Sequence, residues 1–247
     1  MGKVTEVELK VKVSKDEFLD FMNTNKYFKF SNSICIKEDT YYKNKNMDNG
    51  SFIRLRCTAT EMLLLKDALR VLYGVVPHDT KERKDLVGLA IWERLSSDNH
   101  LTNLNDCATL LGVAHDAHIT LKTKNIVNDI ETNEEQEARL DCSDPKEFME
   151  TLAASNGIDK WFTKTKHAAK FVTNSEMTKK ESAGINLEFV HVEGVDGVFA
   201  EIEYVDPTGI DDEDLPEIMD WLKTIILEIG FNDDKIEPRS WKEMLGV

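Results

Sequence analysis

The stretch Met1–Val13, MGKVTEVELKVKV, alternates from Glu6 onward between charge and carbon: Glu6, Glu8, Lys10 and Lys12 interleave with Val7, Leu9, Val11 and Val13. A period of two places successive side chains on opposite faces of a β-strand. The stretch therefore predicts a strand with one apolar and one ionic face. The ionic face carries two acids and then two bases. Such a face is either solvated, or part of a site where carboxylates take a hard divalent cation and ammonium groups take an anion's oxygens. Recurrence elsewhere in the chain decides between these readings.

The alternation recurs. In FIRLRC, Arg54 and Arg56 alternate with Ile53 and Leu55, and in HITLKTK, Lys122 and Lys124 oppose Ile119 and Leu121. EEQEARL puts Glu135, Glu137 and Arg139 on one face, WFTKTKH pairs Lys164 with Lys166, FAEIEY pairs Glu201 with Glu203, and Glu188 stands between Leu187 and Phe189. The signs sort by strand: the first and last strands lead with Glu-x-Glu, and the middle strands carry Arg-x-Arg and Lys-x-Lys. A half-buried sheet with a solvated outer face has no reason to sort its charges. The pattern predicts an α+β fold, a closed antiparallel eight-stranded β-barrel with its ionic faces inward and helices packed outside. Buried charges must be paired or bound, so the interior reads as a wet tunnel for a polyanion and its cations.

The covering helices are visible. Ser14 and Glu17 form a capping box ahead of a helix over Lys15–Asn25, and a long helix spans Leu215–Ile229, with Pro216 in its first turn and Gly230 at its end. ELKVKVS followed by DEF (Glu8–Ser14) is echoed by EARLDCS followed by KEF (Glu137–Ser143), each a charged strand, a serine cap and a helix. Residues 58–118 read as a helical insertion, with apolar spacings of three and four in EMLLLKDALRVLY, KDLVGLAIWERLSS and LNDCATLLGVAHD. The chain is otherwise a single domain over 1–247. A formal net charge of −15 argues against nucleic acid and anionic membranes as partners. No apolar run long enough for a membrane span or signal core is present. Cys35, Cys57, Cys107 and Cys142 are widely spaced and read as free thiols in a cytoplasmic protein. His115 and His118 form a weak metal-ligand pair, Trp161, Trp221 and Trp241 read as core residues rather than base-stacking groups, and a homodimer stays open.

The Glu-x-Glu-x-Lys start, Asp39 and Tyr41 of EDTYY, the Arg-x-Arg strand and VEGVDGVFAEIE (192–203) together resemble the CYTH family, the triphosphate tunnel metalloenzymes. The tail IEPRSWKEMLGV resembles the ending of class IV adenylyl cyclases. The likeness covers about residues 3–57 and 119–247. It implies that Glu6 and Glu8, with Glu201 and Glu203, bind Mg2+ or Mn2+, with Glu188 and Glu137 adding metal or water contacts. It implies that Lys10, Arg54, Arg56, Lys122, Arg139 and Lys164 or Lys166 grip the triphosphate, and that Glu6, Glu8, Lys10 and Glu137 serve catalysis. Lys12, Lys124 and Lys170 read either as further tunnel cations or as surface lysines. The expected activity is conversion of ATP to cyclic AMP and pyrophosphate. A triphosphatase acting on thiamine triphosphate, inorganic triphosphate or a nucleoside triphosphate is the alternative, and a non-catalytic nucleotide or polyphosphate binder is another. The chain departs from the family pattern at the 58–118 insertion, at Lys-x-Lys where Lys-x-Arg is usual, and at Val190, where an aspartate is expected.

Overall fold

The computed structural model describes residues 4–48, 50–62, 80–96, 114–128, 130–173 and 183–247. Eight strands run β1 (Val4–Val13), β2 (Phe28–Lys43), β3 (Ser51–Met62), β4 (Ala114–Val127), β5 (Ile130–Arg139), β6 (Asp159–Thr173), β7 (Gly184–Val192) and β8 (Val198–Ile210). They form one antiparallel ring in the order β1-β5-β4-β3-β2-β6-β7-β8, closed by the pairing of β1 with β8. Closure leaves no sheet edge unpaired. The helices are α1 (Lys15–Thr24), α2 (Thr80–Ser96), α3 (Pro145–Ser155), α4 (Leu215–Glu228) and the short α5 (Trp241–Leu245). No helix among the described residues is long and apolar enough to cross a membrane.

The main hydrophobic core lies outside the ring. The apolar face of β1 (Val7, Leu9, Val11, Val13) and its counterparts on β6, β7 and β8 pack under α1 and α4. Aromatic rings make this layer: Phe189 meets Phe18 at 4.7 Å and Phe21 at 5.0 Å, and Phe171 meets Phe21 at 5.3 Å. Burying each ring contributes about 2–3 kcal/mol. A second layer, with Tyr42, Leu55, Met149 and Ala153, seats α3 on β2 and β3. With their apolar faces spent outside, the strands turn their ionic faces inward.

The expected capping box holds, with Ser14 Oγ accepting from the Glu17 N–H. At α3 the cap is Asp144, not Ser143: its side chain accepts from the Glu147 N–H, and Pro145 starts the helix. The insertion is shorter than the sequence pattern indicates, because β3 runs on to Met62 and β4 begins at Ala114. Within it, α2 matches the KDLVGLAIWERLSS segment. It packs on α1, with Trp92 5.7 Å from Phe18 and Asn23 donating to Asp85 at 2.6 Å. Most of the other two insertion segments lies outside the described residues, as does Cys107.

Candidate active site in the barrel interior

The ring encloses a cavity of about 780 Å³. Glu6, Glu8, Arg54, Arg56, Lys122, Lys124, Glu137, Lys164, Lys166, Glu201 and Glu203 all line it. Register explains the meeting. Glu8 pairs across β1/β8 with Glu203 and Lys10 with Glu201, while Arg54 pairs with Thr120 and Lys122 with Glu135 across the opposite wall.

The interior carboxylates fall into two electrostatic classes. Glu131, Glu135, Glu188 and Glu201 each sit against a lysine. Lys122 lies 2.6 Å from Glu135, Lys124 pairs with Glu131, Lys37 bonds Glu188 at 2.6 Å and Lys166 bonds Glu201 at 2.6 Å. Burial alone would raise these acids, but the adjacent cations win: Glu135 and Glu201 are held at about 2, and Glu131 and Glu188 lie well below the usual carboxylate range. Glu6, Glu8 and Glu203 behave oppositely. Their oxygens gather within 4.8 Å of one another. Among the described residues no lysine or arginine lies within 4 Å of Glu8 or Glu203, and the nearest to Glu6 is Lys122 at 3.8 Å. Burial, with repulsion from neighbouring carboxylates, pushes all three up, Glu8 to about 8. Three carboxylates, two of them buried, sharing one space with only Lys122 beside them have the donor chemistry of a hard divalent-cation site.

The cationic wall is held ready. Asp39 is fully buried and binds Arg56 in a fork, Nε to Oδ1 at 2.7 Å and Nη2 to Oδ2 at 2.9 Å. It also accepts from Tyr41 at 3.2 Å and lies 3.4 Å from Lys164. Burial would raise the Asp39 carboxyl, but Arg56 outweighs it and holds it well below its usual range. Burial depresses Lys164 to about 8, with Asp39 opposing. Arg54 is buried, donates to Thr120 Oγ1 at 3.1 Å and approaches Glu137 and Glu135 only at 3.8 and 3.9 Å. Its Nε has no hydrogen-bond partner. An orphaned buried guanidinium donor in a cavity suits an anion's oxygens.

Not every expected residue joins this constellation. Lys10 is absent from the cavity lining: its ammonium donates to the Arg239 carbonyl at 2.8 Å and lies 4.7 Å from the Trp241 ring. Glu201 lines the cavity but is tied to Lys166 and to the Trp241 indole N–H, at 2.6 Å each, rather than grouped with Glu6, Glu8 and Glu203. Glu188 is locked by Lys37 and Lys166 and is not one of the three grouped carboxylates. Arg139 shares the inward parity, yet it lies at the far end of β5, 72% exposed and paired with Asp116. Lys12 is a surface lysine paired with Asp196, whereas Lys124 lines the cavity. His118 lies 2.8 Å from Asp116 and 3.0 Å from Glu137, and the side chain of His115 lies outside what is described. Val190 packs in an apolar cluster with Val192, Phe199 and Trp241. Sequence reasoning misses Lys37, Glu131 and Asn133. All three lie on the inward parity of their strands, and that parity is the signal that could have found them.

No protein-family model matches the chain, and no curated protein matches it. Solved structures do. The PH1819 protein of Pyrococcus horikoshii superposes with a TM-score of 0.61 at 19% identity, over 97% of each chain. A conserved hypothetical protein of Pyrococcus furiosus gives 0.55 at 19%, over 97% of this chain and 99% of that one. A Vibrio parahaemolyticus protein described as a candidate adenylate cyclase gives 0.56 at 15%, over the whole of both chains. The chain shares their fold. At these identities the likeness speaks to architecture alone.

Proposed function

We propose that the chain is a metal-dependent enzyme that works on a nucleoside triphosphate inside the barrel, with class IV adenylyl cyclase-like chemistry: ATP to cyclic AMP and pyrophosphate. The observation that carries this reading is the Glu6–Glu8–Glu203 carboxylate trio sharing one cavity with Arg54, Lys122 and Lys164. Glu6, Glu8 and Glu203 would hold Mg2+ or Mn2+. Such an ion supplies neutralisation of charge developing on transferred phosphoryl oxygens. The family resemblance of the sequence and the fold shared with the Vibrio protein support the same reading.

The chain's own residues do the positioning. Phosphoryl transfer needs alignment and charge stabilisation more than covalent participation. Arg54 offers its guanidinium, and Lys122 and Lys124 offer ammoniums already fixed by Glu135 and Glu131. Arg56 is oriented by Asp39. In the cyclisation the ribose 3′-oxygen bonds to the α-phosphorus, the bond to the β-phosphate bridge breaks with its electron pair on pyrophosphate, and the hydroxyl proton is lost. The basic wall stabilises the departing pyrophosphate. Val190 does not oppose this reading, because the carboxylate trio is complete without an aspartate there.

The test is to incubate the protein with ATP and Mg2+ or Mn2+ and separate the products. Cyclic AMP with pyrophosphate supports the cyclase. ADP with phosphate moves the assignment to a triphosphatase in the same site. Tight binding without turnover would make it a nucleotide-binding protein.

A further inference from the structure

The inward row of β5 runs Glu131, Asn133, Glu135, Glu137, Arg139, and only Asn133 in it is uncharged. Asn133 is fully buried. Strand register sets it directly opposite Glu6 on β1 and Lys124 on β4. Its amide Nδ2 donates to Glu131 Oε1 at 3.1 Å and, at a longer 3.4 Å, to Glu6 Oε1. One NH2 group thus spans a member of the carboxylate trio and a carboxylate clamped by Lys124. We infer that Asn133 is a positioning residue for the divalent-cation site, holding Glu6 for the ion without neutralising it; the inference rests on the proposed function and deepens its metal requirement.

The neutrality of the donor is the decisive feature. Glu131, Glu135, Glu188 and Glu201 each sit against a lysine ammonium, and an acid so paired has little charge left for a metal. Glu6 has the same kind of neighbour: Lys122 stands 3.8 Å from its Oε2 and already lies 2.6 Å from Glu135. A closer Lys122 contact would turn Glu6 into a fifth paired acid and take it from the group it forms with Glu8 and Glu203. The Asn133 amide engages the other oxygen, Oε1, and brings no charge with it. A lysine at this position would complete the neutralisation of Glu6, and an aspartate would add one more repelling acid.

The orientation of the amide follows from its partners, because turning it over would set its carbonyl against both carboxylates. So placed, its Oδ1 is buried with no hydrogen-bond partner among the described residues. Buried polar atoms are rarely left this way. A leucine would fill a similar space without an orphaned acceptor, so packing alone does not account for asparagine here. Divalent ions, Mg2+ above all, keep several of their waters when bound, and such a water is a donor suited to this oxygen. Carboxylates that ligate metals are themselves held by hydrogen bonds of this outer kind.

Calorimetric titration of Mn2+ into the nucleotide-free protein tests this on the wild type, Asn133→Leu and Asn133→Thr, with a thermal melt of each metal-free protein. Asn133→Leu should weaken Mn2+ binding about 10- to 100-fold. Its metal-free melting temperature should be unchanged or raised, because the orphaned acceptor leaves with the amide. Asn133→Thr keeps one hydroxyl donor and should lose less affinity. Tripolyphosphate binding measured without metal should be the same in all three proteins. Wild-type Mn2+ affinity in the variants, or equal weakening of Mn2+ and tripolyphosphate, would overturn the positioning role. Should Asn133→Leu not fold, Asn133→Thr decides in the same way. A wild type that binds no Mn2+ would instead overturn the metal-dependent reading beneath it.

Discussion

Replacing Asp39 by asparagine removes one charge and almost no volume from a fully buried acid that holds Arg56 and Lys164 of the cavity wall. In the wild type the carboxylate accepts both arms of the Arg56 fork, at 2.7 and 2.9 Å, and lies 3.4 Å from Lys164. The substituted amide could accept only one of the two Arg56 bonds, and two buried cations would lose their counter-charge. Breaking a buried pair from one side costs about 3–5 kcal/mol, which for a chain of this size corresponds to a fall in melting temperature of roughly 6–20 °C. The pH dependence follows from the same pair. The folded Asp39 carboxyl is held well below the ordinary 3.8, so its stabilisation is present above that value and fades as pH falls beneath it. Thermal melts of wild type and Asp39→Asn should therefore differ most near neutral pH and converge in acid. Asp196→Asn is the control: its partner Lys12 is a surface residue, and exposed pairs contribute little, so its melting temperature should match wild type. An Asp39→Asn variant as stable as the wild type at pH 7 would refute the argument that paired buried charge organises this wall.

Glu8→Gln should cut metal-dependent turnover about 100-fold or more in a steady-state assay. It should not lower the melting temperature of the metal-free protein, because it relieves repulsion within the Glu6–Glu8–Glu203 trio. Arg54→Lys keeps the charge but loses the fork and the unpartnered Nε; the KM for triphosphate should rise about tenfold with the fold intact. Trp241→Phe leaves the buried Glu201 without its indole donor, and denaturant titration should show a loss of about 1–3 kcal/mol. Joining Met62 to Ala114 by a short linker deletes α2, whose Ile91 and Leu95 are fully buried in the core over α1. The melting temperature should fall while kcat of the folded fraction is retained.

The inward and outward faces of the strands are legible in the sequence because alternation is a local property. Glu6, Glu8, Arg54, Arg56, Lys122, Lys164, Lys166, Glu201 and Glu203 all line the cavity from a simple period of two. What alternation cannot show is depth along the barrel. Arg139 has the right parity and still falls outside the cavity, because the end of β5 runs past it. Nor does it show which acid finds which base. Glu201 and Glu203 look equivalent in FAEIEY, yet the fold ties the first to Lys166 and to the distant indole of Trp241, and leaves the second with Glu6 and Glu8. Trp161 reads as core in the sequence, and the structure corrects this for a third reason: a one-residue bulge reverses parity, and nothing in WFTKTKH announces it.

On the proposed reading, the carboxylate trio and the basic wall hold a divalent cation and a triphosphate together. A crystal structure of the protein soaked with Mn2+ and α,β-methylene ATP, with anomalous data collected for manganese, tests it directly. The expected result is an anomalous peak bounded by Glu6, Glu8 and Glu203, with phosphate oxygens against the Arg54 guanidinium and Lys122. A peak elsewhere, or phosphates bound outside the barrel, would contradict it.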